Sequence, residues 1–203
     1  MKKKNKEIII ITLLTIIFIV LSLLIITNKT ETFDNQIHQY ILNIRSTNLT
    51  TFFKIITNLG SAPCLITIII LTLIKNKKLS KNLVMHLIIG ILINLFIKAI
   101  FARTRPIGIS LIEETGYSYP SGHSMISLIF YGYILSQINK SKTQNKLILN
   151  ISIIILILLI GLSRVYLGVH YITDIIGGFS LASIYLLISK NIKTEKKWSI
   201  WKQ

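Results

Sequence analysis

The chain has 203 residues, enough for one ordinary domain and too few for two. It is 52% hydrophobic with a mean hydropathy of +0.66, and its apolar residues fall in long blocks that exclude a soluble helical protein with regular polar faces. The net charge of +16 would suggest a nucleic-acid partner in a soluble chain, but 16 of the 23 basic residues are lysines in four clusters that abut apolar blocks, which excludes a DNA-binding surface.

The first apolar segment, 8–27, follows Lys2, Lys3, Lys4 and Lys6. It is too long for a signal-peptide core, and Asn28-Lys29-Thr30-Glu31 offers no small-residue cleavage site, so it is expected to be an uncleaved span. Along the polar stretch from Asp34 to Arg45, and from Phe33 just before it, Phe33, Ile37, Ile41 and Ile44 recur at helical spacing. That suits either a short helix on the membrane surface or an ordinary loop. Further spans are expected at 52–74, 83–101, 122–138, 147–165 and 172–189. Cys64, the single cysteine, lies in the second of these and reads as a small hydrophobe. Trp198 and Trp201 in the basic tail suit interfacial anchors or a disordered end.

The lysine clusters (Lys2/3/4/6, Lys75/77/78/81, Lys140/142/146 and Lys190/193/196/197/202) all fall on one side of six spans. Against Glu7 and Glu195 they give that side +14, while seven basic and five acidic residues give the other +2. The positive-inside rule then puts both termini in the cytoplasm. The expected architecture is one all-α, polytopic membrane domain over residues 1–203, six transmembrane helices in one bundle, in the plasma membrane.

Three polar clusters fall on the outer side. Lys98 and Arg105 are two helical turns apart at the end of the third span, and Pro106 stops the helix. Taken alone, they read as snorkelling cations. Arg103 would lie about 160° round such a helix from Arg105 and is left out of the candidate site. Pro120-Ser121-Gly122-His123 opens the fourth span, where a helix N-terminus offers N–H groups to an anion; a plain cap and turn fits equally well. Ser163-Arg164 and then His170 and Asp174 bracket the last helix junction, and a helical turn would bring the carboxylate to the imidazole. A structural His–Asp pair is the alternative, but ionisable groups at a membrane are costly and point to function. Together, three cations, a helix N-terminus and two histidines suit phosphoryl transfer.

Lys-x6-Arg-Pro, Pro-Ser-Gly-His and Ser-Arg-x5-His-x3-Asp, eleven specified positions over 98–174, resemble the three-part signature of the type 2 phosphatidic acid phosphatase family, in its membrane branch. The resemblance implies that His170 attacks phosphorus, Asp174 orients it, and His123 protonates the leaving oxygen and then deprotonates water. Lys98, Arg105, Ser121, Gly122 and Arg164 would hold the phosphate, with Pro106, Pro120 and Ser163 structural. It implies a lipid phosphatase of the extracytoplasmic face. Its substrate would be phosphatidylglycerophosphate, phosphatidic acid or undecaprenyl pyrophosphate, and it would need no metal or cofactor. A lipid phosphotransferase or a non-catalytic transporter are the alternatives, the latter using Gly177-Gly178 for close helix packing. Glu113 and Glu114 read as a solvated loop edge or as shapers of substrate access.

Overall fold

The computed structural model describes the backbone of residues 2–141 and 144–200, and the side chains of 5–141 and 144–191. Trp201 and the side chain of Trp198 lie outside these. Among the described residues, eight helices follow one another: α1 (Lys2–Ile26), α2 (Glu31–Asn43), α3 (Thr47–Asn58), α4 (Ala62–Lys75), α5 (Lys77–Phe101), α6 (Gly122–Lys140), α7 (Lys146–Tyr166) and α8 (Ile172–Ile200). Their starts carry local reasons. Ser46 and Asn76 accept from the N–H groups of Leu49 and Leu79 and cap α3 and α5. Pro63, at the start of α4, costs no helical hydrogen bond there.

Four helical stretches among the described residues are long and apolar enough to cross a bilayer: Asn5–Ile26, Lys77–Phe101, Lys146–Tyr166 and Ile172–Asn191. The expected span 52–74 falls on a broken pair, α3 and α4, bent by 48°, which counts as a fifth candidate if the two halves cross as one. Gly60 at the elbow explains how the break packs. A Cβ there would stand 2.6 Å from Ile160 and 2.8 Å from Ser127, so only glycine lets the elbow press against α6 and α7. The stretch 31–43 is a helix rather than a loop, and it turns Asp34 and His38 inward.

The helix α6 is not among the strongly apolar ones, and its place in the bundle explains this. It packs against α5, α7 and α8, and Ser124, Met125, Ser127, Ile129, Phe130 and Tyr131 along it are buried. A helix wrapped by protein is not selected for contact with lipid. By contrast, only 11% of the apolar window of α1 is buried, so its isoleucines and leucines face outward. Leu65, Leu83, Phe130, Ile157 and Ile160 form the core between α4, α5, α6 and α7.

Candidate active site

The cluster forms where α5 and α7 end and α6 and α8 begin. The α5 helix stops at Phe101 because Ala102 turns left-handed, at φ 44°. From there to Ser121 the chain is irregular and strapped to its surroundings. Arg45 Nη2 donates to the carbonyls of Ile109 (2.7 Å) and Tyr166 (2.9 Å), and Leu111 N donates to Leu167 O. The α7–α8 turn is set by Gly168 at φ +74°, where a Cβ would strike the carbonyl of Ile109. The N–H groups of Val169 and His170 then fold back onto Arg164 O.

His170 lies two residues before the start of α8, and the local geometry holds it. Asp174, in the first turn, accepts from Tyr171 N at 2.9 Å, as the acid of a capping box does. The same oxygen, Oδ2, lies 3.2 Å from His170 Nδ1. On the other side of the ring, Arg105 Nη1 donates to Nε2 at 3.1 Å. An arginine only donates, so the network assigns the proton to Nδ1 and a lone pair to Nε2. Burial holds His170 down at about 4, with Arg105 and Lys98 adding to the effect and Asp174 opposing it. The ring is therefore neutral at ordinary pH.

His170 lines a cavity of about 610 Å³ whose polar end also holds Lys98, Arg105, Gly122, His123 and Glu114. The other arm is apolar: Leu87, Ile91 and Leu95 of α5 share a helix face with Lys98, opposite Leu65 and Ile66 of α4. Eleven residues of helix give this arm a depth of roughly 16 Å. Ile66, Ile91 and Leu95 are 49%, 40% and 58% exposed, so the groove is open at its side. A second, polar pocket of about 420 Å³ adjoins the first, sharing Glu114 and His123 and adding Arg164, Lys54 and Thr57.

The sequence-derived residues thus converge at one end of the bundle, with differences in detail. Lys98 and Arg105 both line the cavity, but Arg105 reaches it from the irregular segment, fixed by the carbonyls of Thr115, Gly116 and Val169. Lys98 Nζ donates to the carbonyls of Tyr117 and Ser118. Ser121 is fully buried, with its Oγ bonded to Ser124 as the cap of α6. Ser163 Oγ donates to Ile160 O. Gly178 backs onto Ser121 O, where a Cβ would sit 2.9 Å away, so α8 packs directly beneath the Pro-Ser-Gly-His turn.

Three participants were not legible as such. Glu114 pairs closely with Arg164 and lies 3.7 Å from Arg105, a carboxylate set among cations expected to hold phosphate. Arg103 bonds Asp174 Oδ1 and Asp34 Oδ2, both at 2.7 Å; it is not set opposite Arg105 on a helix, because α5 has already ended at Phe101. His38 Nε2 lies 3.2 Å from the carbonyl of His170 and donates to it. No group of three or more His, Cys, Asp or Glu able to hold a metal occurs among the described residues.

A family model, the PAP2 superfamily, matches residues 80–198. This chain belongs to the PAP2 superfamily. Among its PAP2 relatives is phosphatidylglycerophosphatase B of Bacillus subtilis (strain 168), 32% identical over 192 residues, which cover 91% of this chain and 95% of the relative. An undecaprenyl-diphosphatase of Sulfolobus acidocaldarius is 32% identical over 135 residues, 64% of this chain and 62% of that one. The crystal structure of a transmembrane PAP2-type phosphatidylglycerolphosphate phosphatase from Bacillus subtilis superposes with a TM-score of 0.82, at 30% identity over 90% of this chain and 96% of that one. Aquifex aeolicus LpxE is similar with a TM-score of 0.61, at 25% identity, covering 75% of this chain and 91% of the other. The two curated relatives are thus named as hydrolases of phosphate compounds, and the PAP2 match includes every residue of the cavity's polar end.

Proposed function

We propose that this chain is a membrane lipid phosphatase that hydrolyses a lipid phosphate monoester or pyrophosphate through a phosphohistidine. The observation that carries this reading is the imidazole of His170, with Asp174 on Nδ1 and a lone pair on Nε2 turned toward cations at the head of an apolar groove. A phosphate at the polar end would take Arg105 from Nε2 and leave the lone pair free to attack. The N–P bond forms as the P–O bond to the lipid breaks, and His123 gives its proton to the departing oxygen. The bound phosphate's own negative charge favours a protonated His123 beforehand. In the second step a water oxygen attacks phosphorus, the N–P bond breaks, and His123 takes the water's proton. Asp174 steadies the imidazolium while the intermediate lasts.

Lys98, Arg105, Arg164 and the N–H of Gly122 are assigned to the phosphate oxygens. Ser121 is assigned to the same group through the turn it caps. The groove between α4 and α5 suits a lipid tail that never leaves the bilayer, and its open side suits lateral entry. Counting α3–α4 as one crossing and α6 as another would give six, and the positive-inside rule then assigns the lysine-rich ends to the cytoplasm and the cavity to the extracytoplasmic side.

The decisive experiment offers purified protein in detergent a panel of phosphatidic acid, phosphatidylglycerophosphate and undecaprenyl pyrophosphate, and measures free phosphate. Release from at least one, lost in His170→Ala and His123→Ala, is expected; full activity in His170→Ala overturns the assignment of the nucleophile. Orientation is read separately, by labelling single cysteines placed at Ser110 and Asn145 in a Cys64→Ser background. Both positions are exposed, and only Ser110→Cys should react from outside.

A further inference from the structure

Asp34 lies on α2, outside all three signature motifs, and is completely buried. An ionised carboxylate in that position needs several partners. It has Arg103 Nη2 at 2.7 Å, Thr173 Oγ1 at 2.8 and 3.0 Å, and Thr173 N at 3.2 Å. Arg103 spends its other terminal nitrogen on Asp174 Oδ1 at 2.7 Å and on Thr173 Oγ1 at 2.8 Å. Its guanidinium lies over the ring of Tyr171, 4.1 Å from the centroid. Burial would lower the Arg103 pKa, and the carboxylates of Asp174 and Asp34 outweigh it, so the group stays charged. Both oxygens of Asp174 are thereby committed, Oδ1 to Arg103 and Oδ2 to His170 and Tyr171 N.

The charges along this line alternate: Asp34 negative, Arg103 positive, Asp174 negative, then His170. Arg103 by itself would fix Asp174 but cancel its field at the imidazole. Asp34 cancels Arg103 in turn, so the trio presents one net negative charge to the ring, in surroundings where charges interact more strongly than in water. A phosphohistidine intermediate needs that charge, because attack through Nε2 leaves the ring cationic.

We propose that Asp34 and Arg103 are positioning residues for the reaction, Arg103 aligning the Asp174 carboxylate with His170 and Asp34 preserving the negative charge that supports the phosphorylated ring. The surface helix α2 is then part of the catalytic support. This rests on the phosphohistidine reading above.

The test is steady-state kinetics of Asp34→Asn, Arg103→Gln, Arg103→Lys and the double variant Asp34→Asn/Arg103→Gln, in detergent with phosphatidic acid. Trapping of radiolabelled phosphoenzyme is run alongside. For Asp34→Asn, which keeps the shape of the side chain, kcat should fall about 10- to 100-fold, by analogy with the carboxylate partner of a metal-bound histidine, with KM little changed. Arg103→Lys should recover part of what Arg103→Gln loses. The double variant should be no worse than Arg103→Gln, since Asp34 acts through Arg103. Wild-type kcat in folded Asp34→Asn, or additive losses in the double variant, overturns the proposal. Label trapped on His170 in the wild type, with a wild-type phosphorylation rate in Asp34→Asn, sinks this inference alone. Label on any other residue sinks it together with the reading on which it rests.

Discussion

At one end of the bundle Arg103, Arg105 and Arg164 meet Asp34, Glu114 and Asp174 within ion-pair distance, and several of these groups are buried. At the other end Lys75, Lys77, Lys78, Lys81 and Lys140 stand exposed, and the ion pair found there among the described residues is Lys190 with Glu7, at 2.6 Å. The same kinds of residue are used under different dielectric conditions. Exposed lysines act through their number and side of the membrane, whereas each buried arginine acts through a specific partner and a specific distance. Substitutions should therefore be costly at the first end and nearly silent at the second.

The largest expected effect is that of Asp174→Asn, which keeps the shape but loses the charge and the acceptor that hold His170 in its Nδ1–H form. By analogy with a triad aspartate, kcat should drop by up to about 10⁴-fold while the protein still inserts. A loss under tenfold would mean that the buried end is no more specific than the exposed one. Next comes acidity. His170 sits at about 4 in the folded protein, against about 6.5 in an unfolded chain. The unfolded chain thus takes up its proton first, so this contribution is complete above about pH 6.5 and fades as pH falls toward 4, by at most ~3 kcal/mol. Thermal unfolding in detergent from pH 7 to 4 should show the decline, and His170→Asn should flatten it. Burial also lowers the pKa of His38, so some slope should remain in that variant.

Glu114→Gln tests a carboxylate that a phosphate bound as proposed would displace from Arg164. A few-fold lower inhibition constant for orthovanadate is expected, and an unchanged or higher one would place Glu114 outside the phosphate's path. The smallest effect should be that of Lys190→Ala, under about 1 kcal/mol, as for other exposed pairs. A larger loss by chemical denaturation would erase the contrast between the two ends.

Most of the cavity's polar lining was readable from residue types at fixed spacing, because the motifs sit at helix ends where chain direction dictates where side chains go. The number of apolar crossings was less readable. The α6 helix is polar for a bilayer because its neighbours replace lipid, and a linear reading of hydropathy does not see neighbours. Asp34, Arg103 and Glu114 were obscure for another reason. Asp34 meets Thr173 across 139 positions of sequence, and a lone acid on an amphipathic stretch carries no local sign of such a contact. Arg103 was misjudged because a left-handed Ala102, which no Gly or Pro announces, ends the helix before the wheel reaches it.

The polarity of α6 also bears on how the enzyme comes into being. A segment carrying His123, Ser124, Ser127 and Gln137 among its apolar residues has little reason to partition into hydrocarbon by itself. It is best accommodated when α5, α7 and α8 are at hand to receive it. His123, at the start of α6, and His170, just before α8, then line one cavity only in the finished assembly, so on the proposed mechanism hydrolysis would await the docking of all four helices.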